Sequence, residues 1–180
     1  MTQIRFLAAL ALAFFVAACT GGIYRDTSMP IAPQMDFNAE RYLGRWYEIA
    51  RYPVPFQKGC TATTADYGPI DATHITVINT CRQDSPDGPR RSIEGTAEVV
   101  GPGALKVRFG SVPFVAADYW VLWVDEAYQI AVVGVPSGRA GWILARTPSI
   151  SAADRARAEA ELVANGYDPA RLIEVPHATD

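Results

Sequence analysis

Between residues 91 and 110 the chain alternates with a period of two. Ile93, Gly95, Ala97 and Val99 share one parity, and Ser92, Glu94, Thr96 and Glu98 the other. After Gly101-Pro102-Gly103 the pattern resumes, with Leu105, Val107 and Phe109 set against Lys106 and Arg108. Successive side chains of a strand point to opposite faces, so each segment has one buried and one solvated face, as in an antiparallel sheet turned by a tight connection. Segments 60–67 and 74–81 flank Gly68-Pro69-Ile70-Asp71 and read as a hairpin. By contrast, 119–124 and 129–135 are apolar on both parities, so something must cover their outer side. Residues 151–165 supply a candidate: Ser151 and Asp154 form a helix-capping pattern, Gly166 is placed to end the helix, and Ala152, Ala156, Ala160 and Val163 form an apolar stripe at helical spacing. Residues 167–175 are expected to return as a ninth strand on the outside.

Upstream, residues 37–51 change from helical to strand character. Asn38 can cap a short turn, Gly44 releases it, and Trp46, Tyr47, Glu48 and Ile49 read as strand. A Trp that opens a strand of a closed sheet can plug its end. The pattern therefore predicts an all-β protein: an eight-stranded up-and-down antiparallel barrel, or calyx, with one C-terminal α-helix packed outside. Closure removes the exposed sheet edges, and eight strands leave an interior able to hold one small ligand. Val77, Ala97, Val99, Leu105, Val107 and Phe109 are expected to face that interior. For 119–124 alternation alone cannot choose a face.

Three segments carry a resemblance. Gly44-Arg45-Trp46-Tyr47 resembles the first signature of the lipocalins, most closely that of the bacterial outer-membrane lipoproteins related to apolipoprotein D. Asp118-Tyr119-Trp120 and the strand after it look like the family's second block, with Ala117 where a Thr is usual. Residues 141–148, GWILARTP, are similar to the third. The resemblance implies that Arg146 packs over Trp46, so that Gly44, Trp46 and Arg146 close the barrel. It also favours Trp120, Leu122 and Val124 inside, leaving Tyr119, Val121 and Trp123 under the helix. It implies lipid binding as the function class.

The N-terminus reads as an export signal. Arg5 precedes an apolar run, 6–16, too short for a stable membrane span. Val16-Ala17-Ala18-Cys19 then resembles the bacterial lipobox, with Val16 where Leu is usual, which implies cleavage after residue 18 and acylation of Cys19, including an N-linked chain such as palmitate. The rival reading is an ordinary secretory signal that leaves Cys19 free. Diacylglyceryl plus an N-acyl chain suffices for stable anchoring. Thr20, in place of an Asp that commonly signals inner-membrane retention, points to the outer membrane and a periplasm-facing domain. The expected layout is a signal peptide over 1–18, a lipidated N-terminus and flexible tether over 19–35, and a lipocalin domain over 36–180. With Cys19 assigned to lipid, Cys60 and Cys81 remain as a pair in an oxidising compartment. Their midpoint falls inside the predicted turn, which places them directly opposite each other and predicts a disulfide.

Composition narrows the function. The 180-residue chain carries a formal charge of −3, which offers no basic footprint for nucleic acid. His74 and His177 lie far apart, and no catalytic triad, phosphate loop or metal-spaced set of ligands is present. No catalytic residue, metal or cofactor is therefore assigned. The expected partners are a fatty acid or lysophospholipid in the barrel and a membrane through the acylated terminus, for storage or transport. A barrel enzyme acting on lipids (Asp118 with Glu48 as a carboxylate pair) and a scaffold lipoprotein with a solid core are the alternatives. Oligomeric state is left open, a homodimer included. Loop 51–56, with Tyr52 and Phe56, reads as an entrance lip or as a packing cluster.

Overall fold

A computed structural model describes residues 22–111 and 114–178. The signal segment and Cys19 lie outside the described residues. Helix α1 (Ala39–Tyr42) is capped by Asn38, whose side chain accepts from Arg41 N–H. It leads through Gly44, at φ +91°, into β1 (Gly44–Arg51). The remaining strands are β2 (Cys60–Pro69), β3 (His74–Gln83), β4 (Arg90–Gly101), β5 (Ala104–Phe109), β6 (Ala117–Val124), β7 (Ile130–Gly134) and β8 (Gly141–Ala145). Each pairs antiparallel with the next, and β1 pairs with both β2 and β8, so eight strands close into a barrel. Helix α2 (Ala152–Ala164) packs outside and is followed by β9 (Ile173–Glu174).

The barrel has a floor and a mouth. Helix α1, the β2–β3 turn, Gly101–Ala104, the β6–β7 turn and Arg146 gather at the floor, whereas the connections 52–59, 84–89 and 135–140, with 110–111 and 114–116, rim the mouth. Two apolar layers follow from the strand periodicity. The inner one includes Trp46, Val77, Ala97, Leu105, Val107, Val121, Val124 and Val133. The outer one, between barrel and α2, includes Leu122, Ile130, Val132, Ile143, Ala158 and Leu162. Ala131 and Val133 thus point in and Ile130 and Val132 out, which is why β7 is apolar on both parities.

Four expectations need correction. The buried face of α2 is Ala158 and Leu162, while Ala152, Ala156, Ala160 and Val163 are exposed. Alanine presents little apolar area, so the larger Leu162 decides which way the helix turns. The ninth strand is only two residues long, because Pro169–Arg171 forms a 3-10 turn before it. Residues 22–34 are fastened rather than loose. Tyr24 and Arg25 are buried, Tyr24 N–H donates to Gly138 O, and the Arg25 guanidinium donates to the carbonyls of Asn165, Pro136 and Met29. Such charge–carbonyl bonds secure a segment that its Gly and Pro content alone makes look mobile.

The fourth concerns the cysteines. Cys60 and Cys81 are joined, with Cα atoms 5.4 Å apart, yet they are not cross-strand neighbours. Cys60 pairs with Gln83, and a bulge between Thr61 and Thr64 leaves Ala62 and Thr63 against Cys81 alone. Ala62 takes φ +43° there, folding the strand so that the bond runs diagonally. A bulge inserts residues on one strand and bends it, and the midpoint rule assumes that none occurs.

Candidate functional site

At the floor, Trp46 is fully buried, and its Nε1–H donates to Tyr42 O at 2.8 Å. The Arg146 guanidinium carbon sits 3.9 Å from the Trp46 ring centroid. The same side chain donates to Arg45 O at 2.8 Å, Arg41 O at 2.9 Å and Tyr128 O at 3.2 Å. These carbonyls belong to α1, the start of β1 and the β6–β7 turn, so one planar cation ties three chain segments over one indole.

Above the plug lies a cavity with about 90 Å³ open to the centres of water-sized atoms. At roughly 30 Å³ per water, its share of the liquid, that is space for about three. Val77, Val107, Phe109 and Leu144 give it apolar walls, and Tyr67, Tyr119, Trp142 and Phe56 an aromatic lining. Ala97 and Leu105 are buried in the inner layer below, with Val99 packed beside them.

The lining also contains polar groups concentrated near the mouth. Glu48 and Arg51 are buried on β1 and form an ion pair of 2.8 Å. A bulge between Glu48 and Ala50 brings both side chains to the same side of the strand. Gln57, from the 3-10 turn Pro55–Gln57, donates from Nε2 to Glu48 Oε2 at 2.7 Å and accepts from Trp142 Nε1 at 3.0 Å. Arg51 also donates to Cys60 O at 2.8 Å. Burial raises the Glu48 carboxyl above its ordinary value; the Arg51 charge and the bonds from Arg51 and Gln57 oppose that rise without cancelling it. The other carboxylate considered as half of a pair, Asp118, is bonded to Lys106 at 2.6 Å.

Two of the residues expected inside lie outside. Trp120 and Leu122 pack in the outer layer with α2, whereas Tyr119 and Val121 face the interior. Val124 nevertheless points inward, because a bulge between Val121 and Trp123 in the β6–β7 pairing shifts the alternation midway along β6. No single parity could have described this strand. Outside, Trp123 is covered by Arg157, whose guanidinium carbon lies 4.7 Å from the ring centroid.

Sequence reasoning missed the interior tyrosines. Tyr67 OH donates to Tyr119 OH at 2.8 Å, and the hydroxyls of Tyr42 and Tyr119 are 2.9 Å apart. Alternation within 60–67 could have placed Tyr67, since it shares parity with Ala65 and Thr63 on the cavity wall. Gln57 carried no signal, because its contacts depend on how a loop folds back.

The comparisons agree with this architecture. A family model described as a lipocalin-like domain matches residues 37–177. Outer membrane lipoprotein Blc of Escherichia coli (strain K12) is 37% identical over 186 residues, spanning 97% of each chain. Temperature-induced lipocalin-1 of Arabidopsis thaliana is 38% identical over 151 residues, covering 78% of this chain and 80% of that one. Among solved structures, insecticyanin from the tobacco hornworm Manduca sexta superposes with a TM-score of 0.67 at 21% identity, over 83% of this chain and 86% of its own. The fold, the family match and the extent of these alignments place this chain in the lipocalin family.

Proposed function

We propose that this lipocalin binds a single-chain lipid, a fatty acid or lysophospholipid, and holds or carries it beside the outer membrane for storage or transport in membrane maintenance. Membership of the family implies a small hydrophobic ligand. The observation that carries the finer reading is the cavity itself, with its apolar walls and aromatic lining opening toward the mouth. Val77, Val107 and Phe109 border it directly; Ala97, Val99 and Leu105, with Val124 near the floor, back it. Space for about three waters takes up about as many methylene groups, each of similar size. Those contribute roughly 2–3 kcal/mol gross at about 0.8 kcal/mol each. Association and ordering costs exceed that gain, so contacts of the rest of the ligand at the mouth supply most of the net affinity. The remainder of the chain and its head group then occupy the mouth, among Gln57, Glu48 and the exposed ring of Phe56.

The path of the N-terminus supports a membrane-side position. Tyr24 and Arg25 are fastened at the mouth, where Tyr24 OH donates to Pro53 O at 2.6 Å. Three residues separate Cys19 from Ile23, and those four steps span at most about 14 Å when extended. Acylation of Cys19 after cleavage at residue 18 therefore brings the opening, not the floor, close to the bilayer. The similarity to outer membrane lipoprotein Blc supports that location.

The test is displacement of an environment-sensitive fluorescent fatty acid from purified delipidated protein. Saturable binding competed by palmitate or lysophosphatidylcholine is expected. Absence of any competable signal overturns the reading. Metabolic labelling with a palmitate analogue, lost in Cys19→Ser, tests the anchor.

A further inference from the structure

The three tyrosine hydroxyls inside the barrel cannot satisfy one another. Each carries one proton to donate, and two bonds join the three: Tyr67 to Tyr119, and Tyr42 with Tyr119. With the Tyr67 proton spent on Tyr119, a single bond remains for the protons of Tyr42 and Tyr119. Among the described residues none of the three hydroxyls makes any other hydrogen bond. One O–H is therefore always left over. When Tyr42 donates, the spare proton belongs to Tyr119, which borders the cavity. Burial raises all three hydroxyls above the ordinary phenol value, so they remain donors at any physiological pH.

We propose that this spare O–H is a ligand-binding subsite at the inner end of the cavity, which selects lipids whose leading end carries an oxygen acceptor. A buried donor facing a bare hydrocarbon end loses a bond that water had made there, whereas a carbonyl or carboxylate replaces that water. The acceptor comes either from a fatty acid entering carboxyl-first or from a keto or hydroxyl group near the tail of a chain that enters tail-first. This selectivity rests on the lipid-binding reading and adds which end of the ligand is recognised.

Tyr42→Phe or Tyr67→Phe removes one hydroxyl and one bond together, so one spare donor persists and selectivity survives. Only the triple variant Tyr42→Phe/Tyr67→Phe/Tyr119→Phe removes it, with the rings and their packing retained. Thr63 provides the control, because its buried Oγ1 also lacks a partner and Thr63 lines the same cavity.

The experiment competes dodecane, dodecanoic acid and 11-oxododecanoic acid against the fluorescent fatty acid in wild type, both single variants, the triple variant and Thr63→Val. An oxygen acceptor at the inner end is expected to improve affinity roughly fivefold to a hundredfold in wild type and both single variants, and not in the triple variant. If the keto acid alone shows the gain, the oxygenated tail leads; if the simple acid loses affinity in the triple variant, the carboxyl leads. A carbonyl stretch of the bound keto acid lowered in wild type and restored in the triple variant marks the bond directly. The subsite is overturned if the triple variant ranks the ligands as wild type does, or if Thr63→Val alone abolishes the ranking. Equal binding of all three ligands everywhere sinks the subsite while leaving lipid binding intact. Failure of every ligand to displace the probe sinks both.

Discussion

At the floor, a buried indole is sealed by a guanidinium that spends its protons on three backbone carbonyls. At the mouth, the corresponding space is bridged by Gln57, one loop amide holding Glu48 with its nitrogen and Trp142 with its oxygen. Loss of Arg146 uncovers the indole and unties three chain segments at once, even though water can reach the exposed carbonyls of Arg41 and Arg45. Side-chain partners at the mouth can exchange a bond to Gln57 for one to water or to a ligand head group at little cost. The comparison assigns stability to the floor and ligand traffic to the mouth, although both ends are rich in aromatic rings.

The largest expected effect breaks the floor. Trp46→Ala removes the largest fully buried side chain and is expected to destabilise by about 3–5 kcal/mol in chemical denaturation. Arg146→Ala should cost about 2 kcal/mol, and Arg146→Lys nearly as much, since an ammonium cannot reproduce the planar fork. A fall in probe affinity, measured per folded molecule, as large as the loss of stability would show that the floor also governs binding and would undo the division.

Next comes the disulfide, the covalent part of the mouth half. Cys60→Ser/Cys81→Ser is expected to lower stability by about 3 kcal/mol for a separation of 21 residues. Because Arg51 donates to Cys60 O, the same change should loosen the Glu48 cluster and speed ligand dissociation. Gln57→Leu isolates that effect: stability should fall by no more than about 1 kcal/mol, while dissociation in stopped-flow rises severalfold.

How far these features could be read from sequence divides along physical lines. Strand identity was legible because a half-buried sheet forces alternation, and β4 and β5 place Ala97, Val99, Leu105, Val107 and Phe109 on the face that alternation assigns. The floor was legible through the family resemblance that the segments around Gly44, Trp46 and Arg146 carry. Bulges were not. One in β2 moved the cysteines off opposition, one in β6 sent Trp120 and Leu122 outward while keeping Val124 in, and one in β1 brought Glu48 and Arg51 together. A bulge is set by how strands bend to close the barrel, which no local pattern records. The tyrosine chain was hidden for a related reason: its members come from α1, β2 and β6, and only closure of the barrel brings them into contact.

The smallest effect sharpens the comparison through the sign of its pH dependence. At the floor, Asp71 accepts bonds from the backbone N–H groups of Thr73 and His74 and from both of their side chains, which lowers its carboxyl to about 2. A carboxyl lowered on folding stabilises above its ordinary value, and that contribution is lost as pH falls toward about 2. At the mouth, burial raises Glu48, so the folded state holds its proton more tightly than the unfolded chain does. Stability should then decline as pH rises from the ordinary value of 4.5 to the raised one, and level off beyond it. Thermal midpoints measured between pH 2 and 8 should therefore lose part of their acid-side rise in Asp71→Asn, and part of their decline above the ordinary glutamate value in Glu48→Gln. The Asp71 effect is small, because the group is exposed and its interactions are screened. Glu48→Gln leaves Arg51 its bonds to the carbonyls of Gln57 and Cys60, so the slope rather than the absolute midpoint is the readout. A decline that persists unchanged in Glu48→Gln would mean that the mouth ion pair stays charged throughout, and that the opening is held as firmly as the floor.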